Sequence, residues 1–287
     1  MMESLLEACI HSMRLRSFLS AYHKTFEVIK ADTPELKARV YNLRYRVYCE
    51  EYSYENSAED EREMEFDEFD SRAIHFLLVH RHSGADAGTV RLILPDPEAM
   101  LSSFPIQKFC DHPFLEIPER LCHVGEISRF CMAPEFRKRP GDGLLMSGYA
   151  DQDSIDGHHE GFLTYVRRKI AYTPAGLLSA VLEEAMKHEL SDCLWMVEAA
   201  HVPSLKGIGM PVHILGPRLN YHGGVQPMIF NIKAALDSMH GAQPYCWEII
   251  SDSGRLQEMA DRLQRNRWQD RLLDPLYCER ILSKLDH

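Results

Sequence analysis

Short apolar runs bounded by turn residues recur along this chain, and this pattern is typical of buried β-strands. The turn SGAD separates two such runs closely enough to predict a β-hairpin between them. Three later apolar runs predict further strands after the helix predicted over 173–190. The predicted strands cover 26–31, 75–82, 87–94, 124–132, 193–199, 212–217 and 228–232.

Segments with helical periodicity separate these strands. Thr33 and Pro34 form a helix-start signal and predict a helix over 33–51, because proline is favoured at the first helical position. Thr173 and Pro174 predict a second helix over 173–190 in the same way. The buried stripe expected on this second helix consists of Leu177, Val181 and Ala185.

The two ends of the chain are predicted to be helical additions. Residues 4–22 pattern as an amphipathic helix, and 234–287 as polar amphipathic helices packed on the domain. The order of elements between them predicts an α+β fold around one mixed sheet, over 25–233, with an irregular insertion at 134–172. The face expected to be buried in the first helix carries Leu5, Leu6, Cys9, Met13 and Leu19.

Composition narrows the possible functions. The chain has 45% apolar and 26% charged residues, a normal globular balance, and its net charge of −11 argues against a general nucleic-acid binder. None of the eight cysteines forms a C-x-x-C pair or a zinc-type cluster, so no bound metal is expected. The same cysteine pattern predicts a location in the reducing cytoplasm. No segment has the roughly 20 apolar residues of a membrane span, and the N-terminus lacks a signal-peptide pattern.

Charged residues inside a predicted core strand need partners. Strand alternation places Glu126, Ser128 and Phe130 on one face of the strand around GEISRF, and Ile127, Arg129 and Cys131 on the other. Because a buried charge is costly unless it is paired, Glu126 and Arg129 each require a partner. The candidates are Arg44, Arg91, Asp67 and Asp70. The spacing alone is equally compatible with a purely structural ion-pair network.

Four segments of the chain, taken in order, resemble the acyl-homoserine-lactone synthases. They are LRYRVY (43–48), MEFDEFD (64–70), GTVRL (88–92) and GEISRF (125–130). The resemblance extends over roughly 26–230 and implies a GNAT-type acyltransferase fold with one active-site cleft. The residues it places in that cleft are Arg44, Tyr48, Asp67, Asp70, Arg91, Glu126, Ser128, Arg129 and Phe130.

The late stretch IGMPVHILGPRLNYHGGVQPMIF (208–230) is similar to a second group, the N-acyl amino acid synthases encoded beside PEP-CTERM/exosortase protein-sorting genes. That likeness implies transfer of a long fatty acyl chain to the amine of an amino acid. Lactone synthases usually carry a tryptophan where this chain has Tyr54, and this departure favours an ordinary amino acid over S-adenosylmethionine as acceptor.

Acyl transfer to an amine needs a base, a site for the ammonium group and a site for the acceptor carboxylate. Glu126 in an apolar strand is the expected base, since burial raises carboxyl basicity. Asp67 and Asp70 are expected to orient the ammonium group, and Arg44 or Arg91 to bind the acceptor carboxylate or to hold these acids. Arg129 is expected to be structural and tied to the acidic pair Asp67 and Asp70.

The acyl donor is expected to be the acyl-phosphopantetheine of acyl carrier protein, or acyl-CoA, with no tightly bound cofactor. KRPGDG (138–143) matches the diphosphate-binding loop of acetyl-CoA enzymes weakly, whereas carrier protein is acidic and suits a basic docking surface. Ordinary surface bases are an equal alternative for these residues. The bases assigned to docking are Arg137, Lys138, Arg139, Arg167, Arg168 and Lys169.

Several alternatives stay open at this point. One is an acyl-homoserine-lactone synthase that uses S-adenosylmethionine, and another is a non-catalytic acyl-binding module that retains the fold. A covalent enzyme intermediate on Cys131 is disfavoured, because no cysteine–histidine or serine–histidine arrangement is apparent. His222 is more readily a hydrogen-bonded loop residue than a base. The terminal helices are expected to cover the acyl chain or to contact a membrane surface.

Overall fold

The computed structural model describes residues 2–52, 63–137, 173–221 and 223–273. Their eight strands form one mixed sheet in the order β1-β2-β3-β4-β5-β8-β6, with β7 beside β8. This confirms the predicted α+β class and the hairpin between the second and third strands. The strands are β1 Phe26–Lys30, β2 Ala73–His80, β3 Asp86–Ile93, β4 Val124–Met132, β5 Asp192–Glu198, β6 His213–Ile214, β7 Leu219–Asn220 and β8 Gly224–Asn231.

The centre of the sheet opens between β4 and β5. These two strands are parallel and pair from Val124 with Asp192 to Ile127 with Trp195. Both continue beyond that last pair, but their pairing does not. The facing backbone edges therefore separate into a splay, and the other neighbouring pairs of this central region are antiparallel.

A β-bulge in β4 lies at the start of the splay. Arg91 of β3 pairs with Ser128, but Thr89 pairs with Cys131, so β4 uses one more residue than β3 here. Arg129 adopts a φ of 49°, which is uncommon for a residue with a side chain. The alternation expected along this strand is therefore wrong beyond Ser128, because the extra residue resets which face each side chain meets.

Helices cover both faces of the sheet. Thr33 caps α2 through its side chain, as predicted, but α2 ends earlier than expected and passes into a π-helical turn, Arg46–Glu51. Thr173 does not cap its helix, which begins at Ala175 after Pro174. The helices are α1 Met2–Thr25, α2 Pro34–Tyr45, α3 Pro118–Leu121, α4 Ala175–Lys187, α5 Val202–Gly207, α6 Ile232–Ala242, α7 Pro244–Ile250 and α8 Arg255–Leu273.

The helices that follow the last strand share the main hydrophobic core. Leu236 of α6, Ile249 of α7 and Leu256 of α8 are buried in the same cluster as the expected stripe of α4. These helices are thus integral to the core rather than resting on its surface. In the described part of the chain no helix is long and apolar enough to cross a membrane.

The first helix docks through a face that matches the expected one only in part. Met13 is exposed, whereas Phe18 and Tyr22 are buried. The expected residue Leu19 is partly buried and packs against the core. The side chains of Leu5, Leu6 and Cys9 lie outside the described residues. The Tyr22 hydroxyl donates to Thr173 O at 2.8 Å and accepts from Gly176 N–H at 3.0 Å, so α1 is fixed to the start of α4.

Candidate active site

Six buried or half-buried charged side chains form a closed ring between α2, β3 and β4. Each member contacts two side chains of opposite charge, so three positive and three negative groups balance. We call it the ion-pair ring. Its members, in order around the ring, are Arg44, Glu65, Arg129, Asp67, Arg91 and Asp70.

The Asp70 carboxylate forms ion pairs with two arginines. Arg44 Nη1 and Nη2 lie 2.8 and 3.0 Å from its two carboxylate oxygens, a bidentate pair, and Arg91 Nη1 lies 2.6 Å from Oδ1. Arg91 also holds Asp67, with Nη1–Oδ1 and Nη2–Oδ2 distances of 2.6 and 2.8 Å. Both arginines are fully buried, so these carboxylates supply the charge that their burial requires.

Glu65 and Arg129 close the other side of the ring. Arg129 donates to Glu65 Oε1 from Nε at 3.0 Å, and its Nη2 lies 3.3 Å from Asp67 Oδ2. Glu65 also pairs with Arg44. The Arg129 guanidinium sits 5.4 Å from the centre of the Tyr48 ring, a cation–π contact. The expectation that Arg129 is tied to the acidic residues agrees with this geometry.

The segment MEFDEFD (64–70) folds locally in a way that positions two of the three acids of the ring, Asp67 and Asp70. Asp67 caps the 3-10 helix Glu68–Arg72, since its Oδ1 accepts from Phe69 N–H at 2.9 Å. The Asp67 N–H in turn donates to Asp70 Oδ2 at 2.7 Å. This capping box fixes the spacing of the two carboxylates through local backbone contacts, independently of the arginines.

The ring keeps its acids ionised. Burial opposes ionisation of Asp70, but Arg44 and Arg91 outweigh it and hold the pKa of this carboxyl well below its usual range. Burial likewise opposes ionisation of Glu65 and Asp67, and their arginine partners again lower the pKa of each.

Glu126 has the opposite environment. It is fully buried, and this burial raises the pKa of its carboxyl to about 8. Its Oε2 accepts from Ile106 N–H at 3.0 Å, and Oε1 has no hydrogen-bond partner among the described residues. A carboxyl of this pKa exchanges a proton close to neutral pH, which is the property required of a general base.

His75 is a second buried titratable group beside the ring. Its Nε2 lies 3.6 Å from Asp70 Oδ1, and its ring meets Tyr41 edge-on. Burial lowers the pKa of this imidazole to about 4, so it is neutral at physiological pH and leaves the charge balance of the ring unchanged.

A cavity of about 550 Å³ occupies the splay between β4 and β5. Its lining combines polar and apolar side chains. The polar ones include Tyr48, Ser128, Arg129, Arg137, Glu198, His201, Ser204 and Tyr221. The apolar ones include Leu178, Trp195, Leu205, Ile208, Cys246 and Ile250.

The expected site residues divide between this cavity and the ion-pair ring. Five expected residues line the cavity: Tyr48, Ser128, Arg129, Phe130 and Arg137. Five others do not: Arg44, Asp67, Asp70, Arg91 and Glu126. Arg129 belongs to both, and Arg91 Nε donates to Ser128 Oγ at 2.8 Å, so the ring touches the cavity at two adjacent residues.

Six expected residues lie outside the described part of the chain, and so does most of the 134–172 insertion. They are Tyr54, Lys138, Arg139, Arg167, Arg168 and Lys169. His222 lies outside it as well. Arg137, the remaining docking candidate, donates to Met132 O at 2.8 Å, to Tyr52 Oη at 2.9 Å and to Glu51 Oε1 at 2.5 Å.

Sequence reasoning missed Glu65, Glu198 and Tyr221. Glu65 lies within the segment MEFDEFD (64–70), two residues before Asp67. The extended chain that leads to the 3-10 helix therefore brings both residues toward the ring. Glu198 is the last residue of β5 and Tyr221 follows β7, and no local pattern marks either residue. Cys131 also lines the cavity, but burial raises the pKa of its thiol to about 12, which disfavours it as a nucleophile.

Comparison with known proteins agrees with this architecture. Residues 43–147 match the family model described as an acetyltransferase (GNAT) domain. A search of curated proteins found no match. The crystal structure of TofI, in a ternary complex with an inhibitor and MTA, is 21% identical, with a TM-score of 0.50. The alignment covers 75% of this chain and 96% of TofI.

Two further solved structures are similar at lower scores. FeeM, an N-acyl amino acid synthase from uncultured soil microbes, is 12% identical over 76% of this chain and 97% of its own, with a TM-score of 0.49. The AHL synthase LasI is 17% identical over 76% and 94%, with a TM-score of 0.46. The matched domain, together with the splayed mixed sheet, identifies the chain as an acyltransferase enzyme with a GNAT fold.

Proposed function

We propose that this enzyme transfers a long-chain fatty acyl group from acyl carrier protein to the amine of an amino acid. The observation that carries the proposal is the cavity in the splay, which meets the ion-pair ring at Ser128 and Arg129 and is also lined by many apolar side chains. A long-chain thioester needs both kinds of surface, since its reactive carbonyl is polar and its tail is not.

The splay suits an extended donor arm. Beyond Ile127 and Trp195, the facing edges of β4 and β5 have no strand between them in the described part of the chain, so their N–H and C=O groups can bind a pantetheine arm. In this arrangement the thioester carbonyl lies near the bulge, and its tail follows the apolar wall. Backbone N–H groups of β4 would then stabilise the negative charge that develops on the carbonyl oxygen.

Ser128 is positioned to assist at that oxygen. Its Oγ accepts a hydrogen bond from Arg91 Nε, which leaves the hydroxyl proton to be donated into the cavity. In the proposed reaction this hydroxyl donates to the developing oxyanion.

The acceptor would bind where the ring meets the cavity. Arg129 and Arg137 are the lining arginines in the described part of the chain, so one of them receives the acceptor carboxylate. Asp67 keeps 20% of its side chain exposed, compared with 6% for Asp70. The ammonium role is therefore assigned to Asp67, and Asp70 holds Arg44 and Arg91 in position.

Glu126 is the proposed base. It would remove a proton from the ammonium group through a bridging water, because it does not line the cavity itself. The neutral amine attacks the thioester carbon, the new C–N bond forms, and the C–S bond breaks. The second amine proton then passes to the departing thiolate. Glu198, which does line the cavity, is the competing candidate for the base.

The finer features of the proposal come from the sequence. The pattern over 208–230 supports an amino acid acceptor and the PEP-CTERM/exosortase-associated group, and a carrier-protein donor places the reaction in the cytoplasm. The carrier-protein donor is supported by the basic residues assigned to docking, of which Arg137 lies in the described part of the chain.

The test is to incubate the purified protein with palmitoyl carrier protein or palmitoyl-CoA and a mixture of amino acids, followed by mass spectrometry. An N-acyl amino acid formed faster from the carrier protein is the expected product. Formation of an acyl-homoserine lactone and methylthioadenosine when S-adenosylmethionine is added would instead identify a lactone synthase. Absence of any acylated product with either donor would overturn the proposed function.

A further inference from the structure

One buried wall of the cavity is contributed by α7, a helix that comes after the last strand of the sheet. We propose that α7, through Cys246 and Ile250, sets the length of the acyl chain that the enzyme accepts. This inference rests on the proposed function and adds to it a specificity-determining element.

The cavity has an exposed side and buried walls. Tyr52, which lines it near Arg137, is 42% exposed, whereas Cys246 and Ile250 are each 1% exposed. Leu178 of α4 lines the cavity and is also buried. In the proposed arrangement a chain that enters beside Tyr52 ends against α4 and α7.

The spacing on α7 makes one face of the helix a wall. Cys246 and Ile250 are four residues apart and so lie one turn above the other on the same face. Ile249 is also buried, with 3% exposure, but it does not line the cavity. Two neighbouring isoleucines of one short helix thus differ in whether they meet the cavity.

This wall is held in place from behind. Tyr245 packs edge-on against Phe18 of α1, with ring centres 5.2 Å apart. The start of α4 is fixed to Tyr22 of the same helix by the Tyr22 hydroxyl and the Gly176 N–H. Because both of these helices are anchored to α1, the end of the cavity behaves as a fixed stop.

A fixed stop selects chain length by a simple balance. Each methylene that enters the apolar region leaves water and strengthens binding. A chain that is one or two methylenes too long must displace packed side chains, which opposes binding in a close-packed interior. The preferred chain is the longest that reaches Cys246 and Ile250 without moving them.

The test compares Ile250→Ala, Ile250→Phe and the matched control Ile249→Ala. Each protein receives an equimolar mixture of acyl carrier proteins from octanoyl to stearoyl, and mass spectrometry measures the product distribution. Ile250→Ala is expected to favour longer chains, and Ile250→Phe shorter ones, by about tenfold in the ratio of adjacent even chain lengths. Ile249→Ala is expected to keep the wild-type distribution, although it removes the same atoms from the core.

A second measurement does not require catalysis. Displacement of a fluorescent fatty acid by unlabelled fatty acids of the same lengths reports the length preference of the cavity directly. If the wild type forms no product, the proposed function fails, and the displacement series still tests the wall. Unchanged length preference in both Ile250 variants, an equal change in Ile249→Ala, or no fatty-acid binding at all would overturn the inference.

Discussion

Arg91 Nε donates a hydrogen bond to Ser128 Oγ at 2.8 Å, and this contact joins the ion-pair ring to the cavity. The other two nitrogens of the same guanidinium are committed to ring carboxylates. The ring therefore does more than neutralise buried charge, because it also fixes the orientation of a hydroxyl at the edge of the splay.

Replacing Ser128 with alanine tests this orientation. Ser128→Ala is expected to lower kcat by about 10- to 100-fold with little change in KM for the donor, because it removes an oxyanion donor needed mainly in the transition state. Steady-state kinetics with acyl carrier protein measure both constants. Ser204→Ala is the control, since Ser204 lines the same cavity and should leave kcat nearly unchanged.

The proposed base predicts a pH dependence. With a Glu126 pKa of about 8, kcat is expected to rise with pH and to level off above pH 8, as the carboxyl becomes ionised. Glu126→Gln should abolish this rise together with most of the activity. If Glu198→Gln abolishes the rise while Glu126→Gln preserves it, the base is Glu198.

Glu126 also predicts a pH dependence of stability. Burial raises its folded-state pKa from 4.5 to about 8, so between these values the folded protein holds a proton that the unfolded chain has lost. Wild-type stability therefore falls with rising pH in this window, by about 1.4 kcal/mol per pH unit from this group.

Glutamine does not titrate, so the Glu126→Gln variant is expected to gain stability relative to wild type as pH rises from 5 to 8. Denaturant unfolding at several pH values measures the difference. A difference that does not vary with pH would show that Glu126 has an ordinary pKa in the folded protein.

The ion-pair ring predicts that removing one of its charges lowers the free energy of unfolding substantially. Asp70→Asn is expected to destabilise the protein by about 3–5 kcal/mol, because it leaves Arg44 and Arg91 buried with one carboxylate fewer. Thermal or denaturant unfolding gives the value. Asp86→Asn breaks the more exposed pair with Arg39 and should cost less than about 1 kcal/mol.

Gly176 predicts how tightly α1 is held. A methyl group added at this glycine would lie 2.4 Å from the Tyr22 hydroxyl oxygen, closer than atoms can approach. Gly176→Ala is expected to lower the free energy of unfolding by about 1–3 kcal/mol through overpacking. Combining it with Tyr22→Phe, which removes the clashing oxygen, should recover part of the loss. Additive losses would show that the clash lies elsewhere.

Local signals were sufficient to predict much of the fold. Alternating and helical periodicities indicated the hairpin, the central strands and α4, because each buries one face of a regular element. The start of α2 could also be predicted from the sequence, since Thr33 and Pro34 act on neighbouring backbone groups. The expected face of α1 was wrong at Met13, because weak amphipathicity left the choice of face to tertiary packing against Phe18 and Tyr22.

The candidate site was predictable only in part. Resemblance brought together Arg44, Arg91, Arg129, Asp67 and Asp70, which the structure joins in one ring. It did not reveal that Ser128, the neighbour of Arg129 in the chain, also contacts a ring residue, Arg91. That depends on the bulge, whose extra residue is detectable only from the pairing with β3.

The position of α7 has a consequence for how the enzyme becomes competent during synthesis. The strands β4 and β5 are encoded well before Cys246 and Ile250, so a nascent chain can pair its central strands while the cavity still lacks the wall contributed by α7. Ribosome-bound intermediates of this protein would then expose apolar side chains that the final helices cover.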